Sequence, residues 1–392
     1  MRLQTQHALL ERAKAHISAG STDMAPHALH VDAAHYADPA VLAEEVERHF
    51  LRRPVLVGLT PDVPTPGSYV ARDIVGRPLL LVRGNDGVAR TFVNACRHRG
   101  TRLAEGRGEA RSFPCPFHAW NYGRDGELLA RPNSCNGFDA MTAADSNLLA
   151  LPTRERAGLV FALLEPGGEA GDIDARLDAL VGGIEDELAS YDIAAHDYFA
   201  SRSGVRHCNY KLVMDTFTEA YHISALHKDS IRPFYYSNPA LTDAFGAVTR
   251  MIGVRTSIEK EWPKPAEERR FVRHGTIQYI MAPNIVLTHQ VDHMQMWQMY
   301  PVAGDPSRCE VNLHLYWPRP VDEAARKKCE FNLDVLWRVT NDEDFPQCEN
   351  AQRAMAGGAL PNVVFGRNEP GGVYYHRAMD AGMRQPLTRA VG

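Results

Sequence analysis

Residues 96–118 read C-R-H-R-G-T-R-L-A-E-G-R-G-E-A-R-S-F-P-C-P-F-H, from Cys96 to His118. The skeleton is Cys-x-His, sixteen intervening residues, then Cys-x-x-His. Two thiols and two imidazoles in two short pairs form a metal-ligand pattern, and the order within each pair narrows the choice. Zinc sites usually group their cysteines in one knuckle and their histidines in another. Here each knuckle carries one of each, which suits a [2Fe–2S] cluster whose two irons differ. Cys96 and Cys115 would hold one iron, and His98 and His118 the other. Imidazole is neutral where thiolate is anionic, so such a cluster has a raised potential, roughly −150 to +300 mV, and accepts electrons from a low-potential donor. Pro114 and Pro116 bracket Cys115, and Gly100 follows the first pair, as suits two tight loops that turn backbone N–H groups toward sulfur. The competing assignments are a zinc ribbon, or surface histidines beside core cysteines.

A chain of 392 residues is too long for that module alone and has room for a second core. Hydrophobic residues at 44% and charged residues at 23% are those of an ordinary globular protein. A net charge of −5 gives no reason to expect nucleic-acid binding. No apolar run is long enough to span a bilayer, and the N-terminal stretch M-R-L-Q-T-Q-H lacks a signal-peptide core, so no membrane association is expected. Of seven cysteines, Cys135, Cys208, Cys309, Cys329 and Cys348 remain after the two ligands. Scattered singles make no disulfide framework, and the expected location is the cytoplasm, with reduced thiols.

Residues 1–40 are expected to form an N-terminal helical segment, followed by a cluster domain over 41–165. Val41, Leu42, Val46, Phe50 and Leu51 show helical spacing at its start. Beyond Pro54 short strands take over: Pro78–Arg83, a Gly-Asn-Asp-Gly turn and Val88–Val93 predict a hairpin leading into the first cluster loop. A linker is expected at 166–171 and a mixed domain over 172–392. Its predicted elements are helices over 172–191, 210–226 and 323–355, the last divided at Pro346, and strands over 276–281, 285–290, 294–302 and 311–317. The class is α+β, with an antiparallel sheet around helices and a cavity between them.

A second metal site is readable in N-Y-K-L-V-M-D-T-F-T-E-A-Y-H-I-S-A-L-H, residues 209–227. Glu219 and His222 are three apart and share a helix face. His222 and His227 are five apart, so both reach one ion only if the helix ends or bulges between them. Two histidines and a carboxylate with open positions make the facial triad of non-haem Fe(II) oxygenases. The acids of N-D-E-D-F-P-Q-C-E-N-A-Q offer Asp342, Glu343 and Asp344 as the third ligand. They are equally at home as a solvated acidic helix start.

These motifs together, N-A-C-R-H-R-G, C-P-F-H-A-W-N-Y and N-Y-K followed by E-A-Y-H-x4-H, resemble the Rieske non-haem iron oxygenases, large (α) subunit. The resemblance extends over most of the chain. It implies an all-β Rieske [2Fe–2S] domain followed by a helix-grip (START-like) catalytic domain holding mononuclear Fe(II). It implies that His222 and His227 bind that iron. It also selects Asp344, which stands five residues before Glu349 and near Gln352. Glu219 takes the place of the family's inter-site carboxylate, which is more often Asp. By analogy Glu occurs there in relatives that oxidise quaternary amines.

The implied function is the terminal oxygenase of a multicomponent system. Electrons would come from NAD(P)H through a separate flavin reductase, a ferredoxin or both, and an organic substrate, most broadly an aromatic one, would be hydroxylated. The alternatives are an N-methyl or quaternary amine monooxygenase or demethylase of the same family, and a Rieske electron-transfer protein with a non-catalytic binding domain. A homotrimer is implied, and in some family members a β subunit joins it.

Other features invite weaker assignments. His289 and His293 flank an apparent Val291-Asp292 turn and read as sheet wall or rim rather than ligands, and His376 has no assignment. Met294, Met296, Met299, Trp297 and Tyr300 read as core, with part of the run lining the cavity. Arg97, Arg99, Arg102, Arg107 and Arg111 crowd the cluster loops. They are either a docking surface for an acidic donor or local partners of acids such as Glu105 and Glu109. If Cys96, His98, Cys115 and His118 ligate a Rieske cluster, the reduced protein gives that cluster's rhombic EPR signal and Cys115→Ser abolishes it. A colourless protein with stoichiometric zinc would refute the assignment.

Overall fold

The structure is a computed structural model that describes residues 1–135, 137–166 and 170–391. It divides into two compact units. One comprises Phe50–Asp178 with Asp192–Ala195, and the other Met1–His49, Ala179–Tyr191 and the chain from His196 onward. Of the expected linker, residues 167–169 lie outside the described residues.

The first unit is built on short antiparallel sheets. The predicted hairpin is present as Arg77–Arg83 paired with Ala89–Val93, closed by a hydrogen bond from Gly84 N to Val88 O of 2.9 Å. These are central strands of a five-stranded sheet, with Ser68–Ile74 and Arg107–Glu109 on one side and Ala150–Leu151 on the other. A second sheet orders Thr153–Arg156, Leu159–Ala162 and Val55–Leu59. A small third one joins Phe113–Pro114, Asn121–Tyr122 and Leu128–Ala130. Leu80, Val82, Phe92, Phe113, Trp120 and Tyr122 form a core that also encloses Cys96 and Cys115. Each large apolar side chain buried there contributes about 1.5–3 kcal/mol, so the two cysteines sit on rigid ground.

The second unit is organised by a seven-stranded antiparallel sheet. Its order is His196–Arg206, Asp305–Pro318, His293–Val302, Ile285–Gln290, Gly275–Met281, Val248–Arg255 and Tyr235–Phe245. The four strands predicted from sequence are four consecutive members of this sheet. Three strands went unpredicted, among them the buried inner strand Val248–Arg255. For the two edge strands there is a physical reason: an edge buries less, so His196–Arg206 lacks clean apolar alternation. Tyr235–Phe245 is interrupted by Pro239 and a register shift between Tyr235 and Ala240, as proline in an edge strand allows.

The 1–40 segment is not wholly helical and is not set apart. After the helix Leu3–Ala19, the alternation of Leu29 and Val31 makes Ala28–Asp32 a strand, paired on both sides by Asn362–Phe365 and Thr388–Val391. The region 172–191 is two helices, Ala170–Val181 and Glu185–Ala189, separated at Gly182-Gly183. The last predicted helix is likewise divided. Glu323–Val339 passes through a π-turn at Thr340–Asp344 into Phe345–Ala356, with Pro346 in the first turn, where its missing N–H costs nothing. No helix among the described residues is long and apolar enough to cross a membrane.

One buried ion pair ties the N-terminal segment to the helix that precedes the histidines. Lys211 Nζ donates to Glu45 Oε2 at 2.7 Å, and Tyr210 Oη donates to the same oxygen at 3.1 Å, with both charged side chains fully buried. Burial pushes the Lys211 pKa down and the Glu45 pKa up, and their mutual attraction opposes both shifts. Lys211→Met leaves the Glu45 carboxylate buried without its counter-ion. It should destabilise the protein by about 3–5 kcal/mol in urea unfolding, and the Lys211→Met/Glu45→Met double variant should recover part of that loss.

Candidate metal centres

The helix carrying the first histidine motif is shorter than its sequence suggests. It begins with Asn209 Oδ1 accepting from Lys211 N (3.1 Å) and ends at Thr216, not near His227. The Thr216 and Thr218 hydroxyls donate to Val213 O and Asp215 O, each at 2.8 Å. Such side-chain bonds compete with helix propagation. The chain then forms only a 3₁₀ turn, Tyr221–Ser224, before turning again to His227. This early break meets the condition set by the five-residue spacing, because the two imidazoles no longer follow a regular helix.

His222, His227 and Asp344 converge. Their ligand atoms lie within 4.8 Å of one another, the only such set of three or more among the described residues. His227 Nε2 is 3.2 Å and His222 Nε2 3.6 Å from Asp344 Oδ1, and the imidazole centroids are 5.0 Å apart. Asp344 Oδ1 is buried and makes no hydrogen bond. Three donor atoms facing one small space, one of them otherwise orphaned, fit a single cation. The π-turn delivers Asp344 to this point, in keeping with the frequency of π-bulges at functional sites.

Each imidazole is held from behind by a carboxylate. Glu219 Oε1 pairs with His222 Nδ1, while its Oε2 accepts from His222 N at 3.0 Å. Glu343 Oε2 pairs with His227 Nδ1 at 2.7 Å and accepts from Ser230 Oγ at 2.8 Å. A proton held at Nδ1 leaves the Nε2 lone pair free for a metal and raises its basicity. The sequence placed Glu219 on the same face as His222, but offered Glu343 only as a candidate ligand and not as a partner of His227. The adjacency of Glu343 to Asp344 was the available signal. Asp342 is exposed and accepts from Asn341 Nδ2.

Glu349 and Gln352, used to choose the ligand acid, turn toward the start of the same helix and accept from His207 N (3.1 Å) and Asn209 N (2.8 Å). Asp215 was also missed. It accepts from Tyr36 Oη and pairs with His376 Nε2, both at 2.8 Å, which gives buried His376 a structural place. A Cβ on Gly371 would lie 2.0 Å from Thr218 O, so the helix Pro370–Asp380 presses directly on the turn that precedes Glu219.

The site opens two ways. Inward lies a cavity of about 150 Å³ between the sheet and the helices, lined in part by Phe217 and Trp297. Outward is a depression of about 530 Å³ that Glu219 and His222 also line. Trp297 fulfils the expectation that part of the methionine-rich run faces the cavity, whereas Met294, Met296 and Met299 are fully buried. His289 and His293 take no part in the metal set. Burial lowers the His289 pKa to about 4, and His293 bonds Asp292 in the two-residue hairpin turn and Gln295 on its own strand.

The two cluster loops share one hydrogen-bond scheme. Gly100 N donates to Cys96 O and Ala119 N to Cys115 O, while Cys96 N donates to Thr101 O and Cys115 N to Trp120 O, all at 2.7–3.0 Å. In each loop the residue four after the cysteine has positive φ, Gly100 at 76° and Ala119 at 57°. Glycine pays nothing for that conformation, and alanine about 1–2 kcal/mol. Cys96 and Cys115 are buried, free thiols. The His98 and His118 centroids are 4.7 Å apart, His98 stacks on Trp120 at 5.1 Å, and its Nδ1 is buried without a partner. This chemistry fits a cluster. The Tyr122 hydroxyl lies 3.3 Å from Cys96 Sγ. His118 and Phe117 are exposed.

The arginine cluster is partly neutralised, though not by the expected acids. Arg102 pairs with Asp73 at 2.6 Å and Arg107 with Asp62 at 2.9 Å. Arg99 stacks on Phe117, and Arg111 is exposed.

A family model for the ring hydroxylating alpha subunit (catalytic domain) matches residues 186–385, and one for the Rieske [2Fe-2S] domain matches residues 53–143. The chain is 31% identical over 376 residues to the glycine betaine monooxygenase oxygenase subunit of Chromohalobacter salexigens, covering 86% of this chain and 82% of that protein. It is 30% identical over 199 residues to the carnitine monooxygenase oxygenase subunit of Escherichia coli (strain K12), which covers 50% of this chain and 52% of that one. Its fold matches a solved quaternary ammonium Rieske monooxygenase with a TM-score of 0.76 at 22% identity, over 93% of this chain and 96% of that one.

Asp344→Ala should lose mononuclear iron in metal analysis while the cluster EPR signal persists, and Asp342→Ala should change neither. Glu343→Gln should weaken iron binding by about 10–100-fold, the usual cost of removing a partner behind a ligand histidine.

Proposed function

Because the chain belongs to the Rieske oxygenase α-subunit family, whose members are terminal oxygenases with a Rieske [2Fe–2S] cluster and mononuclear iron, we propose residue roles and a substrate class for it. Cys96, Cys115, His98 and His118 hold the cluster, and His222, His227 and Asp344 hold Fe(II). The iron supplies O₂ activation with electrons from the cluster. The protein's part is to fix the ligand tautomers through Glu219 and Glu343 and to hold the substrate in the inner cavity.

The substrate we propose is an N-methylated or quaternary amine rather than the aromatic compound first expected. The observation that carries this is the cavity's lining. It includes the Phe217 and Trp297 rings, 5.2 Å apart, and neither lysine nor arginine among the described residues, while the Glu219 and Asp344 carboxylates would balance the charge of the iron. Aromatic faces attract quaternary ammonium groups. The relatives named for glycine betaine and carnitine agree with this choice, as does a glutamate at position 219.

Glu219 is proposed to link the two metal centres across a subunit boundary. It touches His222 from the outward depression, and the exposed His118 edge of a neighbouring copy is its partner in a head-to-tail homotrimer. Heterologous contacts of that kind close into rings. Inter-subunit electron transfer is described for the solved quaternary ammonium Rieske monooxygenase. Electrons arrive from a ferredoxin or flavin reductase, which Arg99, Arg111 and exposed Phe117 beside the cluster would meet. The five cysteines outside the cluster, all without disulfides, suit a cytoplasmic location.

Glu219→Gln should keep both metal centres, the oligomeric state and reduction of the cluster by its donor. Single-turnover oxidation of the cluster on adding substrate and O₂ should slow at least about tenfold, or about 1.4 kcal/mol of barrier. An unchanged rate, or a wild-type protein active as a monomer, would remove Glu219 from the electron path.

A further inference from the structure

The sheet wall of the inner cavity carries a row of uncharged hydrogen-bonding side chains. Gln278, Thr288 and Gln295 stand opposite one another on three adjacent strands, and Thr276 pairs with Gln290 in the neighbouring row. All five line the cavity. Because side chains alternate across a sheet, residues two apart on these strands face the same way. The polar row therefore faces the same space as Trp297, two residues beyond Gln295.

Some of these groups are already engaged. Gln295 is held at both ends, its Nε2 2.8 Å from His293 Nε2 and its Oε1 accepting from Trp297 Nε1 at 3.4 Å. Thr276 Oγ1 is 2.6 Å from the Tyr235 hydroxyl, which also accepts from Gln290 Nε2 at 3.3 Å. Others are not engaged. Thr288 is 2% exposed, and its Oγ1 has no partner in the protein. Gln290 Oε1 is likewise buried and unpartnered. A buried polar atom left unpaired carries a desolvation cost that a bound ligand can relieve. A hydroxyl and a glutamine amide can each both donate and accept, so they complement a ligand group of the same kind.

A carboxylate is a poor fit to the same wall. With no lysine or arginine lining the cavity, its charge would be buried at this wall without a side-chain counter-ion. Arg255 stacks on the Tyr235 ring at 5.3 Å but is not among the lining residues. A plain hydrocarbon would leave Thr288 and Gln290 unsatisfied.

We infer that the substrate's far end is an uncharged hydrogen-bonding group, a hydroxyl or an amide, held by Thr288, Gln290 and Gln278. This rests on the cavity being the substrate site, and it adds to the amine assignment a head group that discriminates against amino acids such as glycine betaine.

The test compares glycine betaine with its amide, a pair that differs at the head group in charge but hardly in shape. Choline, head-less tetramethylammonium and benzamide complete the set. Dissociation constants are measured by calorimetry on the holoenzyme, and each variant is first checked for its cluster EPR signal and iron content. The amide and choline should bind at least tenfold tighter than glycine betaine. Thr288→Val and Gln278→Leu should each weaken amide binding at least fivefold and leave tetramethylammonium unchanged.

If no trimethylammonium compound binds but benzamide does, with the same loss in Thr288→Val, the head-group inference stands and the amine assignment fails. Glycine betaine binding as tightly as its amide would overturn the inference, and loss of that binding in Arg255→Gln would show which group holds the carboxylate. Affinities unchanged by both cavity variants, or no binding by any of the five compounds, would overturn it as well.

Discussion

The catalytic unit depends on two carboxylate–imidazole hydrogen bonds. Glu219 behind His222 and Glu343 behind His227 hold each Nδ1, so that both Nε2 atoms face Asp344 Oδ1. Without them each ring could turn or change tautomer, and three donor atoms would not share one space. Much of the surrounding structure serves this constraint. The helix from Tyr210 stops at Thr216, the π-turn at Thr340–Asp344 places an acid on each side of His227, and Gly371 lets a helix press on Thr218 O.

That arrangement is anchored in a buried polar region of the same unit. Asp215 is fixed by Tyr36 and His376, and Lys211 by Glu45 and the nearby Tyr210 ring. Buried ion pairs add little net stability but are expensive to break, so they hold register more than they hold the fold together. Here they tie residues 36 and 45 to the helix that leads to the histidines. The N-terminal segment is thus part of the site's support.

The cluster unit solves its problem by repetition. Two loops use the same pair of backbone bonds around each cysteine and the same left-handed residue four positions on. The first loop has the residue suited to it, Gly100. The second uses Ala119 and carries the strain, offset by the burial of Trp120 and Tyr122 beside it. The edge at His118 and Phe117 is left exposed.

By itself the sequence determined what local spacing and periodicity can carry. The cluster motif, the hairpin ahead of it, four inner strands of the large sheet and the Glu219–His222 pairing are all short-range patterns, and all were legible. The edge strands were not, because edges bury too little to show alternation. The end of the helix at Thr216 was not, because threonine hydroxyls bonding backward look no different in sequence from threonines inside a helix. The choice of Asp344 over its acidic neighbours needed the family resemblance. The role of Glu343, the partners of Arg102 and Arg107, and the unpaired Thr288 hydroxyl facing the cavity were decided only by tertiary structure. The first two depend on which side chains 29 to 116 residues away arrive within about 3 Å of one another, and the last on which strands pair and leave that hydroxyl without a partner. One-dimensional spacing does not encode that distance.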